Sequence, residues 1–321
     1  MERPPLDFNG LFSNFGELTT TGLTQGAIYA LVALGYTLVY GVLRLINFAH
    51  SEVFIAGAFA AIWTWNGFGL DQNSQVSGVG SILFYLLVAM IVAAIASAGT
   101  ATVIERVAYR PLRKRNAPPL AFLITAIGAS IAISEAFGIW TRRLPEGAPI
   151  LVSSKPLFHL FGVPIDSVQL LTIGAALLMM VLLDLFINRS RTGRGIRAVA
   201  QDANTAALMG VNKDRIILMV FITGGAMAGV AGLLYDVRIQ TLTYSVGFLL
   251  GLKAFTAAVL GGIGNLRGAL VGGLLLGVVE NYAAGLFGSQ WKDFAAFAVL
   301  VVLLMFRPTG LLGESLGRAR A

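Results

Sequence analysis

Residues 188–215 read NRSRTGRGIRAVAQDANTAALMGVNKDR and lie between two strongly apolar runs. The stretch carries Arg189, Arg191, Arg194, Arg197, Lys213 and Arg215 against Asp202 and Asp214. Positive charge resists translocation, so a basic loop between spanning runs belongs on the cytoplasmic side of a membrane. Its interior is patterned as well. Ile196, Val199 and Ala200, then Ala203, Ala206 and Ala207, recur at helical spacing. Asp202 or Asn204 can cap a second short helix and Gly210 can end it. A loop that needed only to be soluble would not need an apolar stripe. The stripe predicts a docking element for a cytoplasmic partner, set in an all-α, polytopic membrane bundle.

Composition agrees. The 321 residues are 56% hydrophobic and 12% charged, against about 25% charged in a soluble domain. Mean hydropathy is +0.79. Several apolar runs reach the ~20 residues that cross ~30 Å of hydrocarbon. Strand-length alternating segments are absent, which excludes an outer-membrane barrel. The net charge of +7 sits in juxtamembrane blocks, where orientation explains it, so no nucleic-acid partner is expected. No cysteine is present, which removes disulfides and thiol chemistry. His50 and His159 are too few and too far apart for a metal cluster, and no cofactor is implied. No cleavable signal is evident in residues 1–17.

In chain order, residues 1–17 form a tail and 18–306 a single transmembrane domain, with the loop 188–215 inside it and a tail over 307–321. The spans are predicted at Leu18–Leu43, Ile46–Trp65, Ser81–Ile104, Pro118–Trp140, Ser167–Ile187, Ile216–Val237, Gly247–Gly264, Gly268–Leu286 and Trp291–Phe306. That makes about eight to nine spanning or re-entrant helices. The first two join at Arg44 with no free loop, and Pro111 ends the third. Thr141–Asp166 is a proline-rich outer loop with room for a short hairpin. The basic blocks share one side if Gly247–Gly264 crosses; if it is re-entrant, a neighbour is miscounted. The N-terminus is then outside.

Three constellations carry candidate chemistry. In Asn47-Phe48-Ala49-His50-Ser51-Glu52, polar groups enter an apolar run, which is costly in a membrane. On a helix His50, Phe54 and Gly57 share a face, and Glu52 points nearly opposite. The segment reads either as a broken helix lining a substrate path through Asn47, His50, Ser51, Glu52 and Gly57, or as a capped helix start. Gly261, Gly262, Gly264 and Gly268 lack the Gly-Lys-Ser/Thr of a phosphate loop and read as a hinge or reversal. Gly225 and Gly229 offer a face for close packing. Among embedded charges, Glu105 and Asp184 lie near cytoplasmic ends, Glu135 and Glu280 near outer ends, and Lys253 alone is deep. No convergent acid–base or nucleophile set appears, so no enzyme is expected.

GAIYALVALGYTLVYGVLRLINFAHSEVFIAGAF resembles the N-terminal signature of LivH-type permeases of branched-chain amino acid ABC transporters. That family commonly reads Asn-Phe-Ala-His-Gly-Glu where this chain has Ser51. The loop Gly195–Gly210, the stretch AFTAAVLGGIGNLRGALVGGLLLGVVE and the ending FRPTGLLGE resemble the same family. Together they cover about Gly22 to Glu314. The resemblance implies a subunit of the bacterial inner membrane working with a second permease (LivM-type or a second copy), two cytoplasmic ATP-binding subunits and a periplasmic solute-binding protein, within membrane lipid. It implies a coupling helix with an EAA-xxx-G pattern. Thr205-Ala206-Ala207-Leu208-Met209-Gly210 is the nearest match and lacks the Glu. Gly195, Arg197, Ala200 and Asp202 complete the coupling element. The implied activity is ATP-driven import of branched-chain amino acids by alternating access. A urea or short-amide permease of the same family is the alternative, and an ion-coupled secondary transporter is a third reading.

Overall fold

In hydrocarbon every backbone N–H and C=O must be paired within the protein, so apolar runs of this length fold as helices. The computed structural model describes residues 14–160 and 163–313, so most of the predicted tail over 1–17 and the end of the tail over 307–321 lie outside the described residues. The helices are α1 (Phe15–Leu43), α2 (His50–Gly67), α3 (Val79–Lys114), α4 (Pro119–Trp140), α5 (Ser167–Arg189), α6 (Arg191–Gln201), α7 (Ala203–Leu208), α8 (Lys213–Ile239), α9 (Val246–Gly261), α10 (Leu266–Phe287) and α11 (Lys292–Phe306). Among the described residues seven helices are long and apolar enough to cross a membrane: α1, α3, α4, α5, α8, α10, and α11 with the turn before it. α1 and α8 are mostly buried, while α3, α4, α5 and α11 form the outer layer.

Glycine sets the closest packing. α1 runs antiparallel to α10, with Gly22 on Gly277 and Val278 and Gly26 on Gly273 and Leu274. A Cβ at Gly26 would lie 2.5 Å from the Gly273 carbonyl oxygen. Only a residue without a side chain permits that approach, the usual basis of tight helix crossings in lipid.

Two short helices, α2 (18 residues) and α9 (16 residues), begin inside the bundle. α1 ends at Arg44, which adopts φ 52° and donates its N–H to Tyr40 O at 2.7 Å. Residues 44–49 then turn inward without helix, and His50 starts α2 against Gly35. At ~1.5 Å per residue Gly35 lies ~13 Å below Arg44. The predicted join at Arg44 without a free loop is therefore corrected: the six residues 44–49 form a non-helical lead-in to the second crossing. α9 mirrors this from the other side. Strand β4 (Thr241–Leu242) pairs with β1 (Glu146–Gly147) on the outer face, and α9 then begins against Ser51, Glu52 and Ile55. Since α8 ends on one side and α10 begins on the other, residues 240–265 cross, as an extended lead-in followed by a short helix.

The basic blocks meet at one end. Arg113 of α3 bonds Asp214 of α8 at 2.8 Å. The C-terminal stretch folds back there: Leu311 and Leu312 donate to Leu260 O and Gly261 O. Its described part is thus packed on the bundle rather than a free tail. Asn14 lies at the opposite end. Pro111 does not end α3, which runs on to Lys114. A π-helical turn over Glu105–Tyr109 restarts the helix at Arg110, placing Pro111 in a first turn where its missing N–H is harmless. The outer loop holds the hairpin of β2 (Pro156–Leu160) and β3 (Val163–Asp166).

Candidate functional site

Asn47, His50, Ser51 and Glu52 come together where α2 starts, and none is more than 2% exposed. Glu52 points nearly opposite His50, and α9 packs on its side and buries it too. Glu52 Oε1 accepts from Ser130 Oγ at 3.1 Å and lies 3.3 Å from Ser51 Oγ. Ser51 Oγ also donates to Phe48 O at 2.7 Å. Asn47 Oδ1 accepts from Tyr109 Oη at 3.0 Å, a tyrosine turned inward by the π-helical turn. His50 meets Tyr36 edge-on at 4.9 Å between ring centroids. Gly57 is set apart from this group. It packs on Gly229 and Ser97, where a side chain would lie 2.5 Å from Gly229 Cα. Tyr36, Tyr109 and Ser130 complete the cluster. Sequence reading missed them because each comes from a different helix.

Beside the cluster is a cavity of about 10 Å³ lined by Tyr36, Tyr40, Ile46, Asn47, Phe255, Ala258 and Ile263. That is room for about one water.

The second candidate is the basic elbow of α6 and α7. Ser190 caps α6 by accepting from Gly193 N, and Asp202 caps α7 by accepting from Asn204 N and Thr205 N. Gly210 follows with φ 87°. The Thr205 hydroxyl, then the Thr205 and Asn204 N–H groups, hold the exposed Asp202 carboxyl below its ordinary value. The predicted docking stripe needs correction. Ile196, Val199 and Ala206 are buried, because α6 packs on α5, α8 and α1. Gly195 sits on Ile216, and Arg197 bonds the Ile187 carbonyl at the end of α5. Ala200 is half-buried. What faces outward is Asp202, Thr205, Ala207, Leu208, Met209 and Gly210. Leu208 and Met209 are 88% and 81% exposed, an apolar tip at the basic end.

The remaining glycines divide in two. Gly225 lies against Ser97, Ala98 and Ala101, Gly229 against Ala93, and Gly261 and Gly268 touch backbone to backbone. Gly262 and Gly264 make the reversal between α9 and α10 at φ 104° and 96°.

The embedded charges also differ from expectation. Lys253 is deep, but Glu280 is equally buried and accepts from it at 2.6 Å. Glu105 is buried and bonded to Arg113 at 2.8 Å rather than reaching to an interface. Asp236, passed over in sequence although it falls within the predicted span Ile216–Val237, is fully buried with both oxygens unpartnered among the described residues. On the outer side Glu146 accepts from the Trp63 indole at 2.9 Å, and partial burial pushes its carboxyl up. Glu146, Trp63, Asn66, Asp71, Gln72, Asn73 and Gly147 line an open recess of about 330 Å³.

Comparison with known proteins covers nearly the whole chain. A family model described as "Branched-chain amino acid transport system / permease component" matches residues 18–304. The chain is 44% identical over 296 residues to the high-affinity branched-chain amino acid transport system permease protein BraD of Pseudomonas aeruginosa, covering 91% of this chain and 94% of that one. It is 38% identical over 306 residues to LivH of Salmonella typhimurium and 37% identical over 306 residues to LivH of Escherichia coli, each covering 94% of this chain and 97% of the relative. No solved structure matches.

Proposed function

The chain belongs to the family of permease components of branched-chain amino acid transport systems, and on that premise we propose that it carries branched-chain aliphatic amino acids inward, driven by ATP hydrolysed on partner subunits. It is a multi-pass transport protein of the bacterial inner membrane. The observation that carries the substrate reading is the 44% identity to a branched-chain amino acid permease over 91% of the chain.

The partners proposed are a second permease, two cytoplasmic ATP-binding subunits and a periplasmic binding protein. The structure supports the ATPase contact through one feature. The exposed Leu208–Met209 tip stands on a capped, basic elbow at the end where the basic blocks gather, and an apolar tip with charged surroundings fits a groove on a soluble partner. The elbow packs on α5, α8 and α1, so movement of the partner is passed to the buried helices. Asn47, His50, Ser51 and Glu52 are the proposed path residues, exposed when the bundle changes shape. Buried polar groups at a broken helix start in membrane proteins commonly mark such a path.

The test is reconstitution. The complete transporter in proteoliposomes, with ATP and loaded binding protein, is expected to take up leucine, isoleucine and valine, with urea failing to compete. Uptake by this chain alone without nucleotide would sink the reading in favour of an ion-coupled carrier. Competition by urea would move the substrate to short amides.

A further inference from the structure

The first turns of α2 and α9 meet inside the bundle, and the polar atoms at that meeting point are left over. Tyr36 Oη, Asn47 Nδ2, His50 Nε2 and Glu52 Oε2 are all buried without a hydrogen-bond partner among the described residues. Buried polar groups in folded proteins are nearly always paired, so four exceptions in one cluster call for a cause. Three of them border α9. A side-chain carbon at Gly247 would lie 3.1 Å from Glu52 Oε2, and one at Gly251 would lie 3.1 Å from Tyr36 Oη. Tyr36 and Asn47 line the cavity of about 10 Å³ that Phe255 and Ala258 of α9 close. Anything larger than a water fits there only if α9 moves.

α9 is tied through Lys253 to Glu280 of α10 and Asp293 of α11, so it parts from α2 together with those helices. It is 16 residues long and is entered from an extended lead-in. It leaves through Gly262 and Gly264, both at positive φ. Gly247 packs against Ser51, Glu52 and Ile55 of α2, and Gly251 against Ser51.

The chemistry exposed by such a movement is that of a cation site. Glu52 has hydroxyl neighbours on Oε1 and, among the described residues, no hydrogen-bond partner on Oε2. Among the described residues no Lys, Arg or His is paired with it. A carboxylate placed at membrane depth without a counter-charge is costly, and a ligand that brings the charge removes the cost. We propose that the α2–α9 junction is the closed form of a binding site for the ammonium group of the transported amino acid. Glu52 is its counter-charge, and Tyr36 and Asn47 are hydrogen-bonding groups uncovered when α9 swings away. The proposal rests on the reading of Asn47, His50, Ser51 and Glu52 as path residues.

Two measurements separate the proposal from that reading. The chain contains no cysteine, so Ser51→Cys introduces its sole thiol. The complete transporter carrying this variant, in proteoliposomes, is treated with a membrane-impermeant methanethiosulfonate with and without ATP. Labelling in one nucleotide state and protection by leucine are expected. No labelling in any state overturns the path reading and the proposal together. In parallel, Glu52→Gln keeps an acceptor for both serine hydroxyls and removes the charge. It is expected to lower ATP-driven leucine uptake roughly tenfold or more, the worth of a charged hydrogen bond. Labelled Ser51→Cys combined with wild-type uptake by Glu52→Gln overturns the ammonium assignment and leaves the path reading standing. If Glu52→Gln does not assemble with its partners, Tyr36→Phe decides: unchanged uptake overturns the proposal, and a several-fold loss supports it.

Discussion

Lys253 of α9 donates to Glu280 of α10 at 2.6 Å, with side-chain exposures of 9% and 4%. Asp293 at the start of α11 takes a second bond from the ammonium at 2.6 Å, and Tyr29 of α1 donates to Glu280 Oε2 at 2.8 Å. Four helices are tied at one point. Removing one member leaves the other charge buried and uncompensated, at a cost on the order of 3 kcal/mol. Lys253→Met should therefore lower the thermal unfolding temperature of the detergent-purified chain by several degrees, and Lys253→Met with Glu280→Gln should regain part of it. A double-variant loss equal to the sum of the losses from Lys253→Met and Glu280→Gln alone would show that the pair is not coupled.

The α1–α10 crossing makes a second prediction with its own control. A Cβ at Gly273 would lie 2.6 Å from the Ala30 Cα, N and Cβ, two of them backbone atoms that do not yield. Gly174 in α5 has nothing within 4 Å of the same position. Gly273→Val should cost at least the ~1–3 kcal/mol of an overpacked core, seen as loss of monodisperse protein in size-exclusion chromatography. Gly174→Val should behave as wild type. A normal Gly273→Val profile would place the two helices farther apart than described.

The fold was largely legible because membrane insertion writes itself into composition. Apolar run lengths located the helices, and two of the arginine blocks share one end, where Arg113 bonds Asp214. What stayed hidden was depth. Nothing in the run Ile46–Trp65 says that its first four residues, 46–49, are non-helical before α2 begins at His50, since an apolar residue is equally at home in either conformation. The π-helical turn that rescues Pro111 also leaves no local signature. In the candidate site the Asn47–Glu52 segment was visible as polarity out of place, whereas Tyr36, Tyr109 and Ser130 look like ordinary span residues until packing assembles them. The elbow misled in a specific way. Helical periodicity in Ile196, Val199 and Ala206 reports a buried face, and it does not say whether the burying surface is a partner or the chain's own bundle.

The cap on α7 predicts a pH dependence. The Thr205 hydroxyl and the Thr205 and Asn204 N–H groups hold the Asp202 carboxyl below its ordinary value of 3.8. A depressed folded value means that the cap's contribution is present above the unfolded value and is lost as pH falls through the folded one. Amide exchange in residues 203–209, corrected for intrinsic rate, should accelerate as pH drops through and below the ordinary carboxylate range. Asp202→Asn keeps an acceptor for the helix start and should flatten that profile. A profile identical in both proteins would remove Asp202 as its source.

The elbow tip separates docking from folding. Leu208 and Met209 are 88% and 81% exposed, so replacing either with Glu removes no internal contact, and surface changes of this kind stay within about ±0.5 kcal/mol. Ala206 is 5% exposed, and Glu there would force a charge against the face on which α7 packs. If the tip seats in an ATPase groove, an apolar anchor at its centre is worth ~2 kcal/mol or more, which is ~30-fold in affinity. Leu208→Glu and Met209→Glu should therefore lose co-purifying ATPase while unfolding at the wild-type temperature. Ala206→Glu should lose both. Full ATPase recovery by the Leu208→Glu and Met209→Glu variants would assign coupling to another part of the basic end.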